Sequence, residues 1–254
     1  MTSQPAPESV PEALAERLAS AERWLVLTGS GVSAASGVPT FRDAQSGLWA
    51  KYDAESLATP QAFTKNPALV WDWYQWRRSL IAGTEPNPAH ISLAELASMR
   101  PGLTLVTQNV DGLHQRAGSK SVIEFHGNIG RNKCFDCGGI ADCSPDSAAR
   151  PPRCDRCGGL LRPDVVWFGE AIPGAALEAA AAAADAADVF LSVGTAALVY
   201  PAAGLAQAAA AAGATIVEIN PERTPLSAMA DYVLDGSAAS WLTAIAIVVR
   251  EAVS

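Results

Sequence analysis

The chain reads as an α/β protein built on a mostly parallel sheet, and three observations predict that class. Four short apolar runs, "WLVLTGSG" from Trp24, "LTLVTQN" from Leu103, "DVFLSVGT" from Asp188 and "ATIVEIN" from Ala214, have the continuous pattern of strands covered on both faces. Ala-rich helical stretches, "GAALEAAAAAADAAD" and "AAGLAQAAAAAG", lie between the later runs as crossover connections require. Each run ends in Gly, Asn or Thr, at the carboxyl edge where ligands collect in an open α/β sheet.

Two segments break the alternation. Residues 46 to about 103 read as helical, and residues 128 to about 163 are rich in Cys, Gly and Pro with little periodicity. Both are predicted to lie outside the sheet as a smaller lobe, with a ligand cleft between the lobes.

At 254 residues, 49% hydrophobic and 17% charged, the chain is long and apolar enough for a folded core. A net charge of −8 argues against a sequence-independent grip on nucleic acid. The Pro-rich start has no basic stretch followed by an apolar run, so no secretory signal is expected and a cytoplasmic location is. Residues 189–217 carry no charge, but Gly194, Pro201, Gly204 and Gly213 interrupt them. A strand, a turn, a helix and a second strand explain that stretch better than a membrane span.

Four of the five cysteines form "CFDC" and "CDRC", each followed by Gly-Gly. Two such knuckles bring Cys134, Cys137, Cys154 and Cys157 into the tetrahedron that structural zinc accepts. A redox or disulfide pair is the alternative, disfavoured because nothing marks the chain as secreted. Four thiolates leave no open coordination position, so the metal is structural. Cys143 receives no role.

The first run leads into "TGSGVSAASGVPTFRD". Gly29 and Gly31 have the spacing of the first two dinucleotide-fingerprint glycines, but Gly37 comes too late for the third. Small residues still let backbone amides meet a pyrophosphate; an ordinary strand-to-helix turn is the bland alternative. The second run ends in "TQNVDGLHQRAG", which offers Gln108, Asn109 and Asp111 to an amide or a sugar edge. In "EFHGN", His126 suits proton transfer near neutral pH, and Gly127 leaves room beside it. His90 and His114 read as core or capping residues.

The stretch "VWDWYQWRRSLI" poses a sharper question. At helical spacing Val70, Tyr74, Arg77 and Ile81 form one seam, with Leu69, Trp73, Trp76 and Leu80 beside it. Arg77 is thereby predicted among apolar neighbours, where a cation needs an anion, while Arg78 swings to the wet edge. Pairing with Asp53 or Glu55 is the bland alternative.

Together these motifs resemble the sirtuin family of NAD-dependent protein-lysine deacylases. "GSGVSAASGVPTFR", "TQNVDGLHQRAG", "FHG", the paired knuckles, "PDVVWFGE", "GTAALVYPAA" and "INPERTPL" occur in that family's order, from about residue 20 to 242. The resemblance implies one catalytic domain over 1–254. It would have a Rossmann-like lobe (about 20–45, 104–127 and 164–254), a helical module (about 46–103) and a zinc ribbon (about 128–163). It implies that Gly29, Ser30, Gly31, Ala34, Phe41, Arg42, Gln108, Asn109 and Asp111 hold the phosphate, ribose and nicotinamide parts of NAD. Gly194, Thr195, Ala196, Asn220, Pro221, Glu222 and Ala238 would line the adenosine side. His126 would be the general base, with Asn109 and Asp111 in the catalytic group. Val166, Phe168, Gly169 and Glu170 would pair with a substrate peptide as an added strand. Ser30 and Ala196 depart from the family's usual Ala and Ser, which implies altered NAD affinity.

The same resemblance answers the question of Arg77. Ala58, Tyr74 and Arg77 match the branch that removes acidic acyl groups, so the expected anion is the carboxylate of a succinyl-, malonyl- or glutaryl-lysine. The implied products are nicotinamide and 2′-O-acyl-ADP-ribose, and the implied partners are acylated lysines of proteins, with no nucleic acid and no membrane. A deacetylase with weak acidic preference, mono-ADP-ribosyl transfer and a non-catalytic zinc-ribbon adaptor stay open as alternatives; a nicotinamide dehydrogenase is disfavoured by the broken fingerprint.

Overall fold

The computed structural model describes residues 9–38, 52–141 and 149–253, so Phe41, Arg42 and Cys143 lie outside the described residues. In chain order the elements are α1 (Glu12–Ser20), β1 (Trp24–Thr28), α2 (Ala54–Leu57), α3 (Pro60–Lys65), α4 (Pro67–Ala82), α5 (Pro88–Met99), β2 (Leu103–Thr107), α6 (Leu113–Arg116) and β3 (Val122–Glu124). There follow β4 (Gly127–Cys134), β5 (Ile140–Ala141), β6 (Leu161–Val165), α7 (Gly174–Ala186), β7 (Val189–Val193), α8 (Gly204–Ala211), β8 (Thr215–Asn220), β9 (Tyr232–Asp235) and α9 (Ala238–Val253).

All four apolar runs are strands of one parallel sheet with the order β3-β2-β1-β7-β8-β9. Every residue of β1 and β7 is buried, which is why these runs show no alternation. Leu14, Leu18, Leu93, Leu96, Trp241 and Leu242 from α1, α5 and α9 cover one face. Ala180, Ala184, Ala206 and Ala209 from α7 and α8 pack on Phe190 and Ile216 on the other. Their methyl side chains let these two helices lie close to the sheet, so the alanine bias serves packing. The uncharged stretch resolves into β7, α8 and β8, and no helix among the described residues is long and apolar enough to cross a membrane.

The smaller lobe joins α2–α4 to an antiparallel sheet of order β5-β4-β6. Their shared core holds Leu57, Ala58, Phe63, Val70, Trp73, Tyr74, Ile81, Ile129, Val165 and Trp167. Asn66 caps α4 through Leu69 N at 3.1 Å, and Pro67 occupies its first turn, where a missing N–H costs nothing.

Two expectations need correction. The helical stretch of about 46–103 is divided, because Ala89, Leu93 and Leu96 place α5 in the core of the large lobe. Arg78 does not swing to the wet edge. Its guanidinium donates to the carbonyls of Ile129 and Arg131 (2.9 Å) and to Asn132 Oδ1 (2.7 Å), tying α4 to β4, because Arg satisfies several acceptors at once.

Candidate active site

The chain reverses its direction of travel across the sheet between β1 and β7, and ligands collect at such a switch point. The turns after these two strands meet there. Gly29 N donates to Val193 O at 3.0 Å and Gly31 N to Gly194 O at 2.8 Å. A Cβ on Gly31 would stand 2.7 Å from Gly194 Cα, so glycine here serves the contact between the two turns. Ser30 and Ala34 are exposed at the rim.

The end of β2 supplies the polar groups. Asn109 Nδ2 donates to Gly29 O (3.0 Å) and Ser33 Oγ (3.1 Å), so both amide hydrogens are engaged and its carbonyl oxygen is what it offers a ligand. Ser33 Oγ donates to Asp111 Oδ2 at 2.7 Å, and Asp111 Oδ1 accepts Leu113 N, the first residue of α6, at 2.9 Å. Gln108 Nε2 donates to Thr195 Oγ1 at 3.0 Å, and Asn220 Nδ2 to Thr195 O at 3.3 Å, which links the ends of β2, β7 and β8. Beneath them lie two buried histidines, rings 4.9 Å apart. His90 Nδ1 accepts Asn87 N at 3.3 Å in a capping box, so its Nε2–H is assigned to Ser33 Oγ. His114 Nε2 meets Thr28 Oγ1 at 2.9 Å, while its Nδ1 has no partner among the described residues. Burial, then the neighbouring His90, pushes the His114 pKa down to about 3.

His126 sits where the lobes join. Its Nδ1 lies 2.8 Å from Gln108 O, which can only accept, so Nδ1 carries the hydrogen and Nε2 keeps the lone pair of a base. Burial lowers its pKa against the opposing bond to Gln108, leaving it neutral at pH 7. Gly127 has φ +78°, and a Cβ there would stand 2.1 Å from Asp164 O; the β4–β6 pairing requires this glycine, rather than space for a substrate.

On the opposite side, Tyr74 and Arg77 lie one turn apart on α4. Burial raises the Tyr74 pKa to about 12, against the pull of Arg77, and keeps the phenol neutral. The Arg77 guanidinium lies 5.2 Å from the centre of the Trp73 ring, and burial lowers its pKa from a value so high that it stays charged. Asp53 caps α2 through Ser56 N at 2.8 Å. Ala58 is buried, and its carbonyl accepts Phe168 N at 2.9 Å. The segment expected to pair with a substrate peptide is largely a turn: Glu170 N donates to Trp167 O at 2.9 Å, and Gly169 has φ +85°. Val166 N is bonded to His126 O and Trp167 N to Glu170 Oε2, both inward. Glu170 itself is forked by the buried Arg162; burial alone would raise its pKa, and that bond lowers it.

The sequence matches the Sir2 family over residues 29–201. It is 53% identical over 225 residues to an NAD-dependent protein deacylase of Ralstonia nicotianae, covering 89% of this chain and 91% of that one. The chain belongs to the Sir2 family. A crystal structure of a Sir2 homologue–NAD complex superposes with a TM-score of 0.90 at 43% identity, covering 99% of this chain and 98% of that one. A mutant Sir2 homologue in complex with 2′-O-acetyl ADP ribose gives 0.89 at 45% identity, over 96% and 98%. The sirtuin fold, a Rossmann-like parallel sheet with a smaller lobe, is thus established for this chain. The amides and hydroxyls gathered at the switch point suit a dinucleotide, and the first of these structures is a complex with NAD.

The four knuckle cysteines fit zinc equally well. Their Sγ atoms all lie within 4.8 Å of one another. The knuckles are near copies: Cys134 N bonds Gly139 O (2.9 Å) and Cys154 N bonds Gly159 O (2.7 Å), with Gly138 and Gly158 at φ +68° and +74°. The backbone N–H groups of Arg156 and Cys157 draw the Cys154 pKa below its ordinary value, in the direction of the thiolate that zinc binds. One structural zinc suits this all-sulfur set.

Sequence reasoning missed Ser33. Ser33 is the hub between Asn109, Asp111 and His90, and its partners lie 57 to 78 residues away in the chain. No local signal marks it beyond a hydroxyl in a glycine-rich turn.

Proposed function

We propose that this sirtuin removes acyl groups from protein lysines at the expense of NAD and prefers acidic ones, the succinyl, malonyl and glutaryl types. NAD supplies the nicotinamide leaving group and the ribose that receives the acyl group, giving 2′-O-acyl-ADP-ribose. The chain's own residues hold, orient and move protons. Asn109 offers its carbonyl oxygen to the nicotinamide–ribose end, fixed by Gly29 O and Ser33 Oγ. Asp111 is held by Ser33 and the start of α6. His126 Nε2 takes a proton from a ribose hydroxyl, and the Nδ1–H bond to Gln108 O steadies the imidazolium that forms. Most of the acceleration comes from fixing the reactants in a closed cleft from which competing water is excluded.

Gly29, Ser30, Gly31, Ala34 and Gln108 are the proposed phosphate-side contacts. Gly194, Thr195, Ala196, Asn220, Pro221, Glu222 and Ala238 are the proposed adenosine-side ones. Phe41 and Arg42 belong to the same reading. For the peptide, the paired segment narrows to what the turn at Val166–Glu170 leaves open, with Phe168 and Gly169 exposed and Glu170 acting as an internal clasp. The thiol-rich knuckles suit a reducing compartment, which supports a cytoplasmic location.

The acidic preference rests on one observation: a neutral, fixed phenol and a charged guanidinium share one turn of α4 beside the buried methyl of Ala58. A guanidinium forks a carboxylate, and a phenol O–H adds a third bond. An acyl-peptide panel on one sequence, read by mass spectrometry, tests this. We expect kcat/KM for the succinyl peptide to exceed that for the acetyl peptide by about tenfold or more; equal efficiency makes the protein a general deacylase. Label from NAD appearing on protein would point instead to ADP-ribosyl transfer.

A further inference from the structure

The phenol on which acyl selection relies is held by a residue to which that reading gives no part. Tyr74 Oη accepts the indole N–H of Trp167 at 2.9 Å in a buried setting. The indole is fixed on every side. Trp167 is 1% exposed, and its ring lies 3.2 Å from the Arg162 guanidinium and 5.3 Å from the Phe63 ring. Its backbone N–H donates to Glu170 Oε2 at 2.8 Å, and Arg162 forks that same carboxylate while donating to Val165 O at 2.7 Å. Arg162, Glu170 and Trp167 thus form one clasp whose tip is the indole N–H.

An indole N–H can only donate. The phenol oxygen that receives it keeps its own hydrogen, which must find an acceptor elsewhere. Bonds in series also polarise one another, so a phenol that accepts becomes a better donor. Without the indole donor, the phenol could turn its hydrogen toward a protein acceptor and present a lone pair, which repels a carboxylate.

We propose that Trp167 is a specificity-determining positioning residue, whose indole N–H turns the Tyr74 hydroxyl into an outward donor for the distal carboxylate of an acidic acyl-lysine. The proposal rests on the acidic-acyl reading above. It separates the two sides of the indole: the ring completes the lobe's core, and the nitrogen selects the substrate.

The test is the ratio of kcat/KM for succinyl and acetyl forms of one peptide, measured on wild type, Trp167→Phe, Tyr74→Phe and the double variant. Phenylalanine keeps an aromatic ring over Arg162 and lacks the donor. Trp167→Phe should lower the succinyl-to-acetyl ratio about tenfold. The double variant should match Tyr74→Phe, because both changes remove one interaction. An unchanged ratio in Trp167→Phe, an equal loss on both peptides, or losses that multiply in the double variant would each overturn the proposal. If Trp167→Phe loses its cooperative thermal transition, 3-benzothienylalanine at position 167 keeps the indole's shape without its N–H and is held to the same outcomes. A wild-type ratio near one sinks the acidic-acyl reading and this proposal with it. A high wild-type ratio that Trp167→Phe leaves unmoved sinks the proposal alone.

Discussion

On the proposed dinucleotide side of the cleft, polar groups bind one another in a network, whereas on the proposed acyl side, among the described residues, the Trp167–Tyr74 bond and the Arg77 guanidinium lie among aromatic rings. Ser33 Oγ alone serves Asn109, Asp111 and His90, and Thr195 ties Gln108 to Asn220. Around Tyr74 the neighbours are Trp73, at 4.6 Å between ring centres, Trp167 and the buried Ala58. The first design presents a fixed set of atoms to a ligand that does not vary. On the proposed reading, the second leaves selection to a few donors, so it can change without disturbing the reaction. Changes on the two sides should therefore differ in kind: the dinucleotide side affects every substrate, and the acyl side affects their ratio.

The strongest probe of that difference is His126→Ala. Removing a general base costs about a hundred- to ten-thousandfold in rate, and we expect acetyl and succinyl peptides to lose equally. Sustained nicotinamide release measured alongside should fall with product formation, because turnover stops at the proton transfer that the base serves. Because burial lowers the His126 pKa, the acid limb of kcat/KM should lie below pH 6.5. Activity holds as pH falls to that value and drops as Nε2 protonates; a limb above it would contradict the buried, neutral base.

Next in size is Arg77→Met, which keeps length and apolar bulk. We expect about a hundredfold loss of kcat/KM on succinyl peptides and a change of less than about threefold on acetyl ones. Parallel losses would show that this arginine supports the helix rather than reads the substrate, and the contrast between the two sides of the cleft would dissolve.

Legibility in the sequence follows the same division between local and distant causes. The apolar runs of β1, β2, β7 and β8 could be read because buried parallel strands need no partner to explain their pattern. The knuckles could be read because each places its turn glycines beside its own cysteines. The strands β3 and β9 escaped because three or four residues at a sheet's edges carry little pattern. The seam of Val70, Tyr74 and Ile81 on α4 is buried as helical spacing predicts, yet Trp71 is buried too, against Cys134 and Cys154 of the ribbon. Nothing in α4 itself announces that neighbour. Arg78 was misread for the same reason, since its acceptors belong to a strand fifty residues on. Gly127 was assigned to substrate space because its clash with Asp164 arises only when β4 meets β6.

A middle-sized effect concerns stability instead of rate. His114 is neutral in the fold, where burial brings its pKa down to about 3, against an unfolded value of about 6.5. Below pH 6.5 the unfolded chain binds a proton that the fold refuses, so stability falls as pH drops from 6.5 toward 3. His114→Gln retains a donor for Thr28 Oγ1 and abolishes that titration. We expect it to be about 1 kcal/mol less stable at pH 7 yet to lose less on acidification to pH 4.5, by urea midpoints. Parallel slopes would mean that His114 is not neutral in the fold.

The smallest expected effect lies behind the far end of the dinucleotide side. Glu218, 1% exposed on β8, accepts the hydroxyls of Thr224 and Ser227. Those hydroxyls in turn accept Leu226 N at 3.1 Å and Thr224 N at 2.9 Å, so one buried carboxylate shapes the turn that follows Asn220. An amide has one acceptor oxygen where the carboxylate has two, so Glu218→Gln leaves one hydroxyl without its partner and loosens the turn. Because the turn carries the proposed adenosine contacts and lies away from His126, KM for NAD should rise about three- to fivefold while kcat holds, as expected when binding common to ground and transition states is lost. A fall in kcat with unchanged KM would show that the turn reaches the reacting end, and that the dinucleotide side acts as a single rigid body rather than as a chain of separable links.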